Sequence, residues 1–217
     1  MTRKVILGFV FVILFFALAQ AQNEKSVSIS GHTFTVDIDE YWNNTQGQIF
    51  PYDQESLKEE EEMGISLQPH AEDWTGSEYI GAFTSPGTPD TPSDNVVDIY
   101  VLKPSGQYLS DYKNHWGKDY PGMQNDKTTL KRAIDVTNLD TTPGLYEDES
   151  EKEIDYNGEP AYLVEREHMI VNDQYMLKGS HAVIAFVKGE DMIVIDVLIS
   201  HAEYMRAWDF LDSITVE

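Results

Sequence analysis

YNGEPAYLVEREHMIVNDQYMLKGSHAVIAFVKGEDMIVIDVLIS, residues 156–200, decides the fold. It opens on Asn157-Gly158, the dipeptide that two-residue hairpin turns favour because both central positions need positive φ. Ala161 to Val171 reads as one strand and Tyr175 to Val187 as the next, and Lys188-Gly189-Glu190-Asp191 turns into Met192 to Ile199. Connections this short join antiparallel neighbours, so the stretch predicts a meander. Met192 to Ile199 is apolar apart from Asp196, the pattern of a strand buried on both faces. Ser200-His201-Ala202-Glu203 has the spacing of a capping box. It predicts a helix that lays Tyr204, Ala207, Trp208 and Leu211 on the sheet.

Upstream, Val27 and Ile29, then Phe34, Val36 and Ile38, alternate around Ser30-Gly31-His32. This predicts a hairpin over Ser26 to Ile38, with Tyr41 and Trp42 covering a core edge. Met63 to Leu67 and Tyr79 to Phe83 read as strands. Ser85 to Asp94, rich in proline, reads as an exposed loop. Val96 to Leu102 is apolar at nearly every position and is expected near the centre of a sheet. Ser105 can cap a helix reaching Trp116, with Leu109, Tyr112 and Trp116 as its core-facing stripe and Gly117 as its stop. Leu130, Arg132, Ile134 and Val136 alternate, which predicts a strand. Thr137 to Glu153 reads as a loop carrying Asp148, Glu149, Glu151 and Glu153. The fold class is therefore α+β, a central antiparallel sheet with the helix after Ser105 and the terminal helix packed on it.

The first residues set the compartment. Arg3 and Lys4 precede an uncharged apolar run from Val5 to Ala19, and Ala19-Gln20-Ala21 stands before Gln22. That is the three-part pattern of a secretory signal peptide, expected to be removed after residue 21. The run is shorter than the roughly 20 residues a membrane-spanning helix needs, so no stable span is expected after cleavage. Residues 22–217 are then a single α+β domain, secreted or on the exterior of the cell envelope. The chain holds no cysteine, which leaves its stability to the core and removes thiolate metal sites. Asn43-Asn44-Thr45 is a glycosylation sequon at Asn43.

The net charge is −23. Without residues 1–21 it is −25, from 13 basic against 38 acidic side chains, because Arg3 and Lys4 leave with the leader. Such a chain repels nucleic acid and anionic lipid surfaces. Glu59 to Glu62 places four carboxylates in succession, which suits a solvated face better than a chelate.

No nucleophile elbow, zinc-protease helix, dinucleotide fingerprint or phosphate loop occurs. One grouping suits a divalent cation: Glu165, Glu167 and His168 on one strand, His181 on its neighbour, and Asp148 with Glu149 in the acidic segment. Glu167 and His168 are adjacent and point to opposite faces. The expected ligand set is Glu165, His181, Asp148 and Glu149. Without it, no cofactor is expected.

Gly31-His32-Thr33-Phe34 leading to Trp42, the Asn157-Gly158-Glu159-Pro160-Ala161 turn and the closing Leu211 to Ile214 resemble elements of the Mog1/PsbP-like group. The resemblance implies an α/β/α sandwich and non-catalytic roles: adaptors, extrinsic subunits of membrane complexes, exported proteins of unassigned task. Two functions follow as expectations. One is an exported, non-enzymatic binding or accessory protein that engages a protein or another cell-envelope component. The other is an exported divalent-metal-dependent protein, a hydrolase or an ion-binding module.

Overall fold

A computed structural model describes residues 24–38, 42, 49–52, 74–85, 95–137, 146–171, 176–200 and 205–217. The leader, Tyr41, the sequon at Asn43, Glu59 to Glu62, the expected strand at Met63 to Leu67, the loop after Ser85, and His201 to Tyr204 lie outside them.

The meander forms as its turns demand. β6 (Tyr146–Tyr156) and β7 (Glu159–Val171) meet at Asn157-Gly158, where both residues take positive φ, 52° and 80°. β8 (Met176–Lys188) and β9 (Asp191–Ile199) meet at Gly189-Glu190, with Gly189 at φ 65°. β9 pairs next with β5 (Asn95–Pro104), then come β4 (Trp74–Ser85) and β3 (Ile49–Tyr52). The seven-stranded order is β3-β4-β5-β9-β8-β7-β6, antiparallel throughout. The α+β class and the antiparallel sheet are as the sequence predicts.

The opening hairpin also forms, β1 (Glu24–Ile29) with β2 (His32–Asp37), turning at Ser30 and Gly31 with φ 52° and 93°. It belongs to a second sheet of three strands, completed by β10 (Ile214–Val216).

Alternation along the large sheet feeds two cores. Ile193, Ile195 and Val197 of β9 share one with Phe34 and Val36 of the small sheet and with Phe210 and Leu211. Trp42 is buried there and stacks on Phe210 at 4.3 Å, the expected cover of a core edge. Met192 and Val194 face the other core with Leu102, Tyr162 and Val183.

Four expectations are corrected. Residues around Leu130 to Val136 form α2 (Lys127–Thr137), a helix and not a strand. Its Leu130, Ala133, Ile134 and Thr137 are buried, the i, i+3, i+4, i+7 set of one helical face. Asp126 starts it, accepting from the Thr128 and Thr129 amides at 3.0 and 3.1 Å. Second, α1 (Gly106–Trp116) has the expected caps, Ser105 Oγ accepting from the Tyr108 amide at 3.0 Å and Gly117 at φ 66°, but no residue of it is buried. Leu109 and Trp116 are 40% and 61% exposed, so this stripe does not pack on the sheet.

Third, Tyr146 to Glu153 is strand, not loop. The carboxylates of β6 are set out along an edge of the sheet, where charge discourages further pairing. Fourth, the terminal helix is short. α3 (Ala207–Leu211) starts after Arg206, and Ser200 bonds Asn95 Oδ1 through its amide and hydroxyl at 2.9 and 3.1 Å, while the rest of the expected capping box lies outside the described residues. Ala207, Phe210 and Leu211 do bury against the sheet, with Trp208 half-buried beside them. Ile214 belongs to β10 and not to a closing helix. No helix among the described residues is long and apolar enough to cross a membrane.

Candidate binding pocket

Of the expected cation ligands, Glu165 and His181 do not meet. Register pairs Arg166 with His181 and Glu165 with Ala182, so Glu165 and His181 project from opposite faces of the sheet. His181 is buried and its Nε2 lies 2.6 Å from Asp196 Oδ1. Glu165 accepts from Lys152 Nζ at 2.7 Å, and Glu149 from Arg166 Nε at 2.7 Å. The side chains of Asp148 and His168 lie outside the described residues. Glu149 and Glu165 do border one open groove of about 370 Å³, together with Glu167, Arg166 and Arg206. Each of its three carboxylates there already has a cation, Glu167 pairing with Lys178. The Lys178 hydrogen bond holds the Glu167 carboxyl below its ordinary value. Among the described residues no group of three or more histidine, aspartate or glutamate side chains is placed to hold a metal ion.

A different feature stands out. The β4–β5 ladder ends with Trp74 opposite Pro104, and Ser105 immediately caps α1. The chain therefore leaves the sheet edge as a helix that overhangs it. Gly117 and Gly122, at φ 66° and 100°, bend the return segment back beneath that helix, and Asp126 launches α2 across the sheet. The space between them is a half-open cavity of about 310 Å³.

Trp74 and Pro104 form its sheet side and Tyr108 and Tyr112 its α1 side. Tyr120, Pro121, Met123 and Gln124 come from the return segment, and Thr129 and Arg132 from α2. Tyr120 meets Tyr108 and Tyr112 edge to face, with centroids 5.4 and 5.2 Å away, the arrangement ring quadrupoles favour. That contact explains the missing core partner of α1: its tyrosines pack on the return segment. Lys113 and Asp119, 2.8 Å apart, tie the same two elements together at the surface.

Burial pushes the Tyr120 phenol up, the neighbouring Tyr108 and Tyr112 add to this, Arg132 opposes it and Asp126 supports it. The phenol is thus a neutral donor, reaching Met123 Sδ at 3.8 Å. Gln124 Nε2 donates to the Gly122 carbonyl at 2.9 Å, and Thr129 Oγ1 to Asp126 Oδ2 at 2.8 Å. The Trp74 indole N–H is buried with no acceptor among the described residues. Apolar walls with a few polar groups are the chemistry of recognition.

Sequence reasoning counted Tyr112 as core, placed Arg132 on an expected strand, and did not single out Trp74 or Tyr120. A readable signal existed: Tyr108, Tyr112 and Tyr120 fall within thirteen residues, around glycine and proline.

No family model matches the chain, and no curated protein matches it. Among solved structures the chain is similar to LpqN, involved in cell envelope biogenesis of Mycobacterium tuberculosis. The two share 13% identity over 89% of this chain and 90% of LpqN, with a TM-score of 0.41.

Proposed function

We propose that the chain is an exported, non-enzymatic binding domain that works at the cell-envelope exterior and takes a small ligand in the cavity between α1, α2 and the end of the β4–β5 ladder. One observation carries this reading. Four aromatic side chains, a guanidinium and a buried indole N–H border one half-open space of about 310 Å³, at the lower end of the roughly 300–1,000 Å³ typical of ligand pockets. Export rests on the leader pattern of residues 1–21. The described groups lining the cavity supply aromatic faces and donors, and holding a ligand is the work these suit.

The test is a thermal-shift screen of residues 22–217 against small soluble compounds, repeated on Tyr112→Ala. Tyr112 lies on a helix with no buried residue, so removing its ring opens the cavity wall without touching either core. Hits that stabilise the parent and lose that effect in Y112A support the reading, since a ligand that binds only the native state raises the melting temperature by mass action. Hits that act equally on both, or no hits, refute it.

A further inference from the structure

Resting on that pocket reading, we infer that its ligand is a flat, neutral aromatic compound of about two fused rings. The way the wall rings are turned carries this furthest. Tyr120 stands nearly perpendicular to Tyr108 and Tyr112, at 80° and 82° with centroids 5.4 and 5.2 Å away, while Tyr108 and Tyr112 are tilted by 45° at 6.4 Å. Aromatic pairs favour offset stacking, or an edge against a face, with centroids roughly 4.5–7 Å apart. A flat ring laid parallel to one of these tyrosines is close to edge-on to another, so a single ligand meets both favoured arrangements. A saturated body of the same size gains neither. Met123 also lines the cavity, its sulfur accepting from the Tyr120 hydroxyl at 3.8 Å, and a polarisable sulfur favours ring contacts as well.

The polar groups of the wall point the same way, because each already has work within the protein. Gln124 Nε2 donates to the Gly122 carbonyl at 2.9 Å, Thr129 Oγ1 donates to Asp126 at 2.8 Å, and Arg132 is engaged as well. A ligand that lives by hydrogen bonds, such as a sugar, has to draw these groups away from their present partners. An aromatic ring asks none of them to move, and a guanidinium offers its plane for stacking.

Size sets the number of rings. An enclosed apolar cavity of about 150 Å³ holds one benzene. The space here is about 310 Å³, room for two fused rings, and its open side leaves a substituent free to reach solvent.

The experiment uses residues 22–217 and titration calorimetry with five probes: 2-naphthol, its saturated counterpart decahydro-2-naphthol, phenol, choline and cellobiose. The first two share a skeleton and a hydroxyl, so their ratio isolates the aromatic system. 2-Naphthol is expected to bind at least about tenfold tighter than the saturated alcohol, the order that two or three ring contacts supply, and at least about tenfold tighter than phenol, which fills half the space. In Y112L and Y120L, which keep apolar bulk and remove a ring, the naphthol preference over the saturated alcohol falls several-fold. Tyr112 lies on a helix with no buried residue, so Y112L keeps the test valid where Y120L fails to fold, and the ratio within one variant is unaffected by its stability. Equal affinity for naphthol and the saturated alcohol, or a preference that survives in Y112L, overturns the aromatic assignment. Phenol binding as tightly as naphthol overturns the two-ring size. Tighter binding of choline or cellobiose, lost in Y112A, overturns the ligand class and leaves the pocket reading standing. No binding by any probe overturns the inference, and the compound screen decides the pocket itself.

Discussion

Replacing Tyr156 by phenylalanine removes a single oxygen from the turn that organises the meander. The Tyr156 hydroxyl is buried, lies 2.8 Å from the Leu211 carbonyl and 3.0 Å from that of Ile214, and joins the β6–β7 turn to both α3 and β10. The ring itself stays packed on Phe186, 5.2 Å away between centroids, so Y156F leaves no cavity. The Ile214 carbonyl keeps a second donor, Asn157 Nδ2 at 3.0 Å, while the Leu211 carbonyl loses this one. One net hydrogen bond of about 1 kcal/mol plus partial desolvation of a buried carbonyl gives about 2–3 kcal/mol. For a chain of this length that lowers the melting temperature by about 4–12 °C.

Urea unfolding of residues 22–217, followed by circular dichroism, measures the change at constant m-value. A double-mutant cycle sharpens it. N157G keeps the positive φ that the turn needs and deletes the other donor to Ile214. The two changes are expected to cost about 1 kcal/mol more together than their sum, because each alone leaves Ile214 one partner.

Alkaline pH adds a check of sign. Burial raises the Tyr156 phenol far above its ordinary value of 10.0, and nearby Asp212 adds to this. The native state thus holds its proton where the unfolded chain releases it, so this contribution is intact below pH 10 and lost as pH rises beyond it. Y156F should show a shallower loss above pH 10. A Y156F variant within about 0.5 kcal/mol of the parent, with additive behaviour in the cycle, refutes the claim that this hydroxyl latches the C-terminal segment.

Gly76→Ala in β4 should destabilise by about 1–3 kcal/mol, since a Cβ there would sit 2.3 Å from the Val101 carbonyl oxygen; a neutral result in urea unfolding refutes this packing. Ser105→Ala should cost about 1 kcal/mol by removing the α1 cap, read by the same assay. Leu109→Ala and Trp116→Ala should each change stability by less than about 0.5 kcal/mol, because both side chains are exposed; a loss above 2 kcal/mol would restore the core-stripe reading. Hydrogen bonds from Lys131 and then Tyr162 hold Glu151 below its ordinary 4.5, a contribution present above that pH and lost as pH falls through the lower native value. Stability of Glu151→Gln should therefore fall less steeply on acidification than the parent's, and identical slopes count against the pair.

The meander was legible because its information is local. Two-residue turns and period-two alternation fix both direction and face, and β9 is apolar on both faces because it is covered on both. The failures have equally specific causes. Leu130, Arg132, Ile134 and Val136 satisfy a period of two, yet Leu130, Ala133, Ile134 and Thr137 satisfy the helical period in the same stretch. The Asp126 cap, which distinguishes them, lies before the window. β6 looked like a loop because its composition is acidic. On an edge strand those charges are answered from elsewhere, Glu149 by Arg166 and Glu151 by Lys131, and such long-range pairs are invisible to a local pattern. β10 is three residues long and owes its strand to β2, at the far end of the chain.

The pocket was illegible for a related reason, and that reason bears on its role. An aromatic stripe on a helix is ordinarily accounted for by burial against a sheet. In α1 the stripe is real, yet Ser105 follows Pro104 so closely that the helix starts at the end of the β4–β5 ladder and overhangs it. Among the described residues its tyrosines pack on the return segment, where Tyr120 answers them edge to face. The resulting space keeps Trp74 and Arg132 from the sheet and α2 at its inner wall. A stripe spent on a core would close that space. Here the aromatic residues that local patterning assigns to stability are the ones the fold leaves available to a ligand.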